Sequence, residues 1–307
     1  MAILSLVVSL LARLWEEVQA RRDLRSLSAR YGRGSYVLIT GGSDGYGKAF
    51  AFSFASRGLN IILAARNFEK LQKVREEILQ AHPQTKVELY VCDFSHSLEA
   101  GFFAKLFAFT SRFDMSVVVN NVGLSYPDYF NSYEFKNKSP EKLVEVMVTN
   151  CVPQACLHRL YFPIFKERTR RSAFVDVSSI CAYATSVGVD IYGSTKLFNA
   201  YLCKSLAVGF HDHNIDYTVV HLGTVSTKLI SWFKDAFGTD PPFCISADAA
   251  SESAMLFIGH SLDTHGHIKH FATGLISQAV SFIDDTLPVV LGLSSLVRIK
   301  AASQKAN

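Results

Sequence analysis

Three side chains in the sequence could together deliver a proton to a carbonyl oxygen. Tyr192 and Lys196 are four residues apart, so a helix over residues 192–206 would place them on one face. A phenol normally has a pKa of about 10, and a neighbouring ammonium is expected to lower it toward neutrality. Ser179 could hold the same oxygen, with Ser178 as the alternative. The group therefore predicts an acid for carbonyl reduction.

A glycine-rich turn, TGGSDGYG, follows the first apolar strand and precedes a helix that begins near Tyr46. A Walker A loop would need Ser or Thr at Ala49, and the G-x-G-x-x-G fingerprint would need a small residue at Phe50. The spacing that fits a phosphate-binding turn is that of Thr40, Gly41, Gly45 and Gly47. Their backbone N–H groups and the positive end of the helix could approach a pyrophosphate.

Apolar strands alternate with helical patterns along the rest of the chain, which is typical of an α/β fold with a parallel sheet. The strands after the first are predicted at residues 59–65, 87–91, 115–119, 173–177 and 217–221. Arg66 directly follows one of them and would match a ribose 2′-phosphate, or would simply begin the next helix. Asp93 follows another strand and could cap the next helix.

These motifs together resemble the short-chain dehydrogenase/reductase family over about residues 30–275. The family signatures are the glycine turn, the Asn120-Asn121-Val122-Gly123 loop and the Tyr-x-x-x-Lys pair after a serine. The segment NNVGLSYPDYF narrows the resemblance to the microsomal branch of 3-ketoacyl-CoA reductases and 17β-hydroxysteroid dehydrogenases. The implied fold is a doubly wound, Rossmann-type sheet of about seven parallel strands in a single domain.

The resemblance also implies roles for individual residues. The implied catalytic residues are Asn150, Ser179, Tyr192 and Lys196. Asn150 would bend its helix near Pro153 and hold a water linked to Lys196. The implied NADP(H) contacts are Gly41, Ser43, Gly45, Tyr46, Gly47, Arg66, Asp93, Asn120, Asn121, Tyr192, Lys196 and Thr227. A leucine, Leu222, replaces the proline that usually begins the turn before Thr227, which predicts a looser turn.

An apolar cover over the substrate is predicted after Thr227, from Ile230, Trp232, Phe233, Phe237 and Phe243. Such a cover suits a fatty-acyl chain or a steroid, although each aromatic could instead be core. The implied reaction is reduction of a 3-oxoacyl-CoA in fatty-acid elongation. The alternatives are a 17β-hydroxysteroid dehydrogenase and a non-catalytic NADP-binding scaffold.

The histidines of the T-H-G-H-I-K-H segment, residues 264–270, lack the acidic or cysteine partner usual for zinc, so no metal is expected. In the family branch this segment resembles a strand that completes the sheet. Six cysteines without C-x-x-C spacing argue against a disulfide framework. A net charge of +4, with no dense basic block, argues against nucleic acid as a partner.

Apolar extensions are predicted at both ends of the chain, in residues 1–33 and 276–307, around a reductase domain of residues 34–275. Residues 1–12 carry no charge but are too few to span a bilayer. We therefore expect contact with a membrane surface. The resemblance to the microsomal branch implies the endoplasmic reticulum, with the reductase domain facing the cytoplasm. Cytoplasm and mitochondrion are the alternatives, and the family's dimer interface implies a homodimer.

Overall fold

The computed structural model describes residues 13, 15, 17, 18, 27–125, 138–183, 190–211 and 213–281. Side chains at 232, 236 and 279–281 are outside this description. Most of the predicted terminal extensions therefore lie outside the described residues. Among the helices of the described part, none is long and apolar enough to cross a membrane.

A seven-stranded parallel sheet in the order β3-β2-β1-β4-β5-β6-β9 forms the centre of the molecule. Its strands are β1 Tyr36–Thr40, β2 Asn60–Ala65, β3 Val87–Val91, β4 Met115–Asn120, β5 Ser172–Ser179, β6 Ile215–Leu222 and β9 Asp263–Thr264. A separate parallel pair joins β7 Val225–Ser226 to β8 Ile245–Ser246. The order reverses direction between β1 and β4, as a doubly wound sheet requires.

Helices cover both faces of the sheet, because alternate strand residues point to opposite sides. They are α1 Leu27–Tyr31, α2 Gly45–Ala55, α3 Phe68–Ala81, α4 Phe102–Thr110, α5 Pro140–Glu167, α6 Asp190–Gly209, α7 Ser231–Phe237, α8 Ala247–Met255 and α9 Ile268–Ser281. Val37 and Ile39 belong to one core cluster with residues of α2 and α3. Leu38, between them, belongs to the opposite cluster with residues of α4, α5 and α6.

The predicted strand over residues 264–270 is wrong in most of its length. Only Asp263–Thr264 pair with β6, and the chain enters helix α9 at Ile268. Gly266, with φ of +63°, lies between the short strand and the helix. From Ile268 onward the segment belongs to a helix that continues through Ser281, and its apolar positions recur with a helical period.

Candidate active site

A cavity of about 530 Å³ opens where the carboxyl ends of the central strands meet. This edge is where open α/β sheets bind their ligands. Of the predicted residues, those that line the cavity are Gly41, Ser43, Gly45, Tyr46, Gly47, Arg66, Asp93, Asn121, Ser179, Tyr192, Lys196 and Thr227. Asn120 and Asn150 are not part of its wall.

Tyr192 and Lys196 lie in helix α6, which begins at Asp190, and Ser179 ends strand β5. The Lys196 ammonium is 5.7 Å from the centre of the Tyr192 ring and donates to the Val177 carbonyl at 2.9 Å. The Ser179 hydroxyl accepts from the Cys181 N–H at 3.2 Å. A proton donor, a hydroxyl and a cation therefore converge on one side of the cavity.

Burial controls the ionisation of this group. It raises the pKa of Tyr192, Cys181 raises it further, and a hydrogen bond with Ser179 lowers it. Burial lowers the pKa of Lys196 to about 8. This direction is opposite to the prediction that Lys196 brings the phenol toward neutrality, because burial disfavours the phenolate. Tyr192 therefore keeps its proton at neutral pH.

The Asn150 side chain makes three hydrogen bonds to the protein. Its Oδ1 accepts from Leu124 N at 2.7 Å, and its Nδ2 donates to Leu124 O at 3.0 Å and to Thr195 Oγ1 at 2.9 Å. Asn150 thus ties the loop after β4 to the residue beside Lys196. Pro153 lies one turn later in the same helix and has no N–H to donate to the preceding turn. The proposed water on Asn150 stays a prediction.

The assignment of Asn120 to the cofactor needs correction. Its Nδ2 donates to the Asp176 carboxylate at 2.6 Å, and only 5% of the residue is exposed. Asp176 also contacts His158 Nε2 at 2.7 Å. These three buried side chains, with Cys203 close by, join β4 and β5 to α5. The charged Asp176 inside an apolar strand was the signal in the sequence for this contact.

The glycine turn forms a close-packed cradle at the start of α2. Gly41 has φ of +68°, and a Cβ on Gly47 would lie 2.4 Å from Gly41 O and 2.5 Å from Asn121 Nδ2. A side chain there would push the helix off the strand. The Thr40 hydroxyl accepts from the N–H groups of Asn121 and Val122 at 3.0 Å each, which fixes the next loop against the turn.

Arg66 and Asp93 face each other across the adjoining strand ends. Arg66 is 64% exposed, and its Nη1 is 3.6 Å from Asp93 Oδ2. Asp93 also caps the short helix Phe94–His96 through Ser95 N at 3.0 Å, which confirms the capping role considered above. Arg66 leaves its strand as an exposed guanidinium at the cavity wall and precedes helix α3.

Asp44 and Lys228 connect the glycine turn to the segment after Thr227, and the sequence analysis missed both. Asp44 caps α2 through Gly45 N at 2.9 Å and accepts from Lys228 Nζ at 2.7 Å. Lys70 lies 3.7 Å from the same carboxylate. The two residues are 184 positions apart in the chain, so no local pattern indicates the contact.

His270 supports the turn in which Leu222 replaces proline. Its Nε2 is 3.1 Å from Thr224 O, and a Cβ on Gly223 would come within 2.6 Å of its ring. The His270 imidazole therefore packs against this turn. His265 instead packs its ring edge-on against Phe271, with centroids 5.7 Å apart.

The predicted apolar cover is only partly in place over the cavity. Ile230 lines the cavity together with Leu229, whereas Phe237 and Phe243 are 58% and 49% exposed. The Phe233 and Phe237 rings pack on each other with centroids 4.6 Å apart. The Trp232 side chain lies outside the described residues.

Comparison with known proteins agrees with this geometry. A family model described as short chain dehydrogenase matches residues 35–235. Hydroxysteroid dehydrogenase-like protein 1 of Gallus gallus is 30% identical over 243 residues, which are 78% of this chain and 70% of the relative. A very-long-chain 3-oxoacyl-CoA reductase of Caenorhabditis elegans is 28% identical over 256 residues, 82% of this chain and 78% of the relative.

A solved short-chain dehydrogenase from Sphingobium yanoikuyae, in complex with NADPH, superimposes with a TM-score of 0.66 at 21% identity. The match covers 82% of this chain and 96% of the other. The chain belongs to the short-chain dehydrogenase family of oxidoreductases.

Proposed function

We propose that this protein reduces the keto group of a 3-oxoacyl-CoA to the 3-hydroxyacyl-CoA, with NADPH, as a step of fatty-acid elongation. The observation that supports it most directly is the convergence of Ser179, Tyr192 and Lys196 on one cavity. The relative named as a very-long-chain 3-oxoacyl-CoA reductase supports the substrate class. A hydroxysteroid dehydrogenase is the second candidate, favoured by the relative at 30% identity.

The described residues fit a dinucleotide. The cradle has no room for a Cβ at Gly47, and Gly45 lies against Thr227, where an added Cβ would be 3.1 Å from Cγ2. The start of α2 offers backbone N–H groups and the positive end of the helix dipole to a pyrophosphate. When bound, NADPH supplies the hydride for reduction.

The remaining steps belong to the side chains of this chain. Tyr192, protonated at neutral pH, donates its proton to the carbonyl oxygen as negative charge develops there. Ser179 donates a hydrogen bond to the same oxygen and stabilises that charge. Lys196 supplies a positive charge near the phenol that offsets the phenolate left behind.

A panel of ketones tests this proposal. Purified protein is mixed with NADPH and with 3-oxoacyl-CoAs of increasing chain length or with 17-ketosteroids, and NADPH oxidation is followed by absorbance. We expect the highest kcat/KM with a 3-oxoacyl-CoA. Turnover of ketosteroids alone would favour the second candidate. Bound NADPH without turnover of any ketone would favour a non-catalytic scaffold.

The choice of NADPH over NADH is proposed to rest on Arg66. Its exposed guanidinium at the cavity wall can form paired hydrogen bonds with a 2′-phosphate, whereas an acidic residue there would accept from a 2′-hydroxyl. We expect Arg66→Asp to weaken NADPH binding by about tenfold or more and NADH binding much less. Titration of each dinucleotide by protein fluorescence measures both, and equal losses would rule out the role.

We also propose a homodimer formed through α5 and α6. Both helices expose apolar side chains, of which Val144, Met147, Leu197, Phe198, Tyr201 and Val208 are between 41% and 72% exposed. Tyr201→Glu should yield monomers in light scattering after gel filtration. Val91→Glu serves as the matched control, because Val91 is also exposed, at 52%, but lies on the outermost strand β3. A monomeric wild type would contradict the proposal.

Attachment to the endoplasmic reticulum membrane, with the reductase domain of residues 34–275 facing the cytoplasm, completes the proposal. The uncharged residues 1–12 and the 65% exposure of Trp15 support it. Deletion of residues 1–12 should shift the protein from the microsomal to the soluble fraction. Full-length protein found in the soluble fraction, or with mitochondria, would contradict it.

A further inference from the structure

An ion pair joins the beginnings of the two helices that carry Asn150 and Tyr192. Lys138 Nζ is 2.6 Å from Asp190 Oδ1 and 2.7 Å from Oδ2, so one ammonium contacts both carboxylate oxygens. The Lys138 side chain is fully buried and that of Asp190 is 34% exposed. Such a pair is far less screened by water than an exposed one.

Each partner lies at the start of its helix. Lys138 precedes Ser139, the N-cap of α5, and Asp190 is the first residue of α6. Asp190 Oδ1 also accepts from Ile191 N at 2.7 Å, so the same carboxylate contacts the first turn of the helix and receives the ammonium. The first turn of α6 is therefore held from outside by a residue of another element.

Two further contacts show how the helices run beside each other. Asn150 donates to Thr195 and Gln154 donates to the Asn199 carbonyl, and in both cases the partners are 45 residues apart. A constant offset at successive turns means that α5 and α6 lie parallel and in register. Along α6, Tyr192 lies between Asp190, which pairs with Lys138, and Thr195, which accepts from Asn150.

Position matters more than stability for this pair. Burying an ammonium costs free energy that its partner only roughly repays, so apolar residues of similar size could replace the pair without loss of stability. By contrast, a displacement of about 1 Å of a reacting group can cost on the order of 100-fold in rate. The Tyr192 hydroxyl is such a group, two residues from Asp190.

We propose that Lys138 is a positioning residue, whose ion pair with Asp190 fixes the first turn of α6 and thereby the Tyr192 phenol. This inference rests on the proposed function for its effect on rate. The ordering of the helix start does not depend on any substrate, so it can be measured separately.

The kinetic test compares Lys138→Met, Asp190→Asn and Lys138→Arg in full-length protein. Asp190→Asn keeps an oxygen for Ile191 N but removes the negative charge. We expect kcat to fall about 10-fold to 100-fold in the first two variants, with the Kd of NADPH within about twofold. Lys138→Arg should restore most of the rate, and the double variant Lys138→Met with Asp190→Asn should lose no more than either single change.

Lys142→Met is the matched control, because Lys142 lies in the first turn of α5 and, within the described part of the chain, pairs locally with Glu145 at 2.7 Å. It should leave kcat unchanged. Hydrogen exchange supplies the readout that needs no substrate: amides 191–195 should exchange at least tenfold faster in Lys138→Met, while amides 203–207 should not change.

The outcomes separate the two proposals. Faster exchange at 191–195 without turnover of any ketone by the wild type would uphold the positioning role and refute the proposed function. Unchanged exchange at 191–195 in Lys138→Met would overturn the positioning role, whatever the rates. A wild-type kcat in that variant would overturn it as well.

Discussion

The central sheet has an amino edge, where its strands begin, and a carboxyl edge, where they end. Buried charge is balanced by several partners at the first and is not balanced at the second. At the amino edge, Asp216 on β6 accepts from Arg30 Nε at 2.7 Å, from Arg171 Nη2 at 2.6 Å and from Tyr31 OH at 2.9 Å. Burial alone would raise the pKa of Asp216, but the hydrogen bonds from Arg30 and Arg171 hold it below its ordinary value. This edge is a fully paired cluster.

At the carboxyl edge, Lys196 is only 4% exposed and its ammonium donates to a neutral carbonyl. Its pKa falls to about 8, because burial disfavours the charged form. Tyr192 beside it has a raised pKa for the same reason. Charge at this edge is held at a cost in stability.

The difference shows where the molecule holds its structure together and where it is prepared for chemistry. Several partners of opposite charge stabilise the ionised form of a group, so the group keeps its charge over a wide pH range. Groups whose pKa is shifted by burial in a cavity can exchange protons with a ligand, and they cluster at functional sites. We therefore expect that a change at one edge leaves the other edge undisturbed.

Removal of the phenol tests the carboxyl edge with the largest expected effect. Tyr192→Phe should lower kcat for ketone reduction by about 10²–10⁴-fold, because the oxygen then lacks its proton donor. The NADPH Kd and the melting temperature should stay close to the wild type. NADPH oxidation under saturating ketone measures the rate. A variant that keeps a tenth of the activity would show that another group donates the proton.

Removal of the central carboxylate tests the amino edge. Asp216→Ala leaves Arg30 and Arg171 without their shared partner, and we expect the free energy of unfolding to fall by about 3–5 kcal/mol. Urea titration measures it, and kcat per folded molecule should be unchanged.

The pH dependence of the wild type supplies the control for Asp216. Its folded-state pKa is lowered, so the stabilisation is complete above the unfolded pKa near 3.8 and is lost as pH falls through the folded value. Asp216→Ala should show less of this acid sensitivity. If the variant loses activity while its stability is retained, the separation of the two edges fails.

The smallest effect on stability is expected at Lys196, and its sign is opposite to that expected at Asp216. The folded-state pKa lies below the unfolded value of 10.5, so the cost of burying the charge is complete below pH 8. That cost disappears as pH rises from about 8 to 10.5. Lys196→Met should therefore raise the free energy of unfolding at pH 7 by roughly 1–3 kcal/mol while abolishing turnover.

Urea titrations at pH 7 and at pH 10 measure this change, and the gain should shrink at the higher pH. Lys142→Met, which alters a partly exposed lysine, should show no such dependence on pH. A destabilised Lys196→Met at pH 7 would mean that the hydrogen bond to Val177 outweighs the cost of burial.

The sequence predicted the strands well, because a buried parallel strand is a short apolar run between turn signals. Val87–Val91 has the predicted bounds, and β5 and β6 extend a residue or two beyond theirs. The error at residues 264–270 arose where the family pattern was preferred to the helical period of Ile268–Ser281.

The site was only partly predictable. Of the four residues assigned to catalysis, Ser179, Tyr192 and Lys196 line the cavity. The fourth, Asn150, forms hydrogen bonds with Leu124 and Thr195. Asn120, which was expected to contact the cofactor, donates to Asp176 instead. No local sequence pattern indicates that His158 is the other partner of that carboxylate. Contacts between distant residues depend on how the helices pack.

By itself the sequence determined the order of strands and helices, the glycine turn and the residues that could transfer a proton, because all of these are local patterns of size and polarity. The tertiary structure alone decided their ionisation and their partners. Burial, which raises the pKa of Tyr192 and lowers that of Lys196, is a property of the packed domain. The pairing of Lys138 with Asp190, 52 residues apart, is another property of the packed domain. It lies at the start of α6, the helix that carries Tyr192 and Lys196.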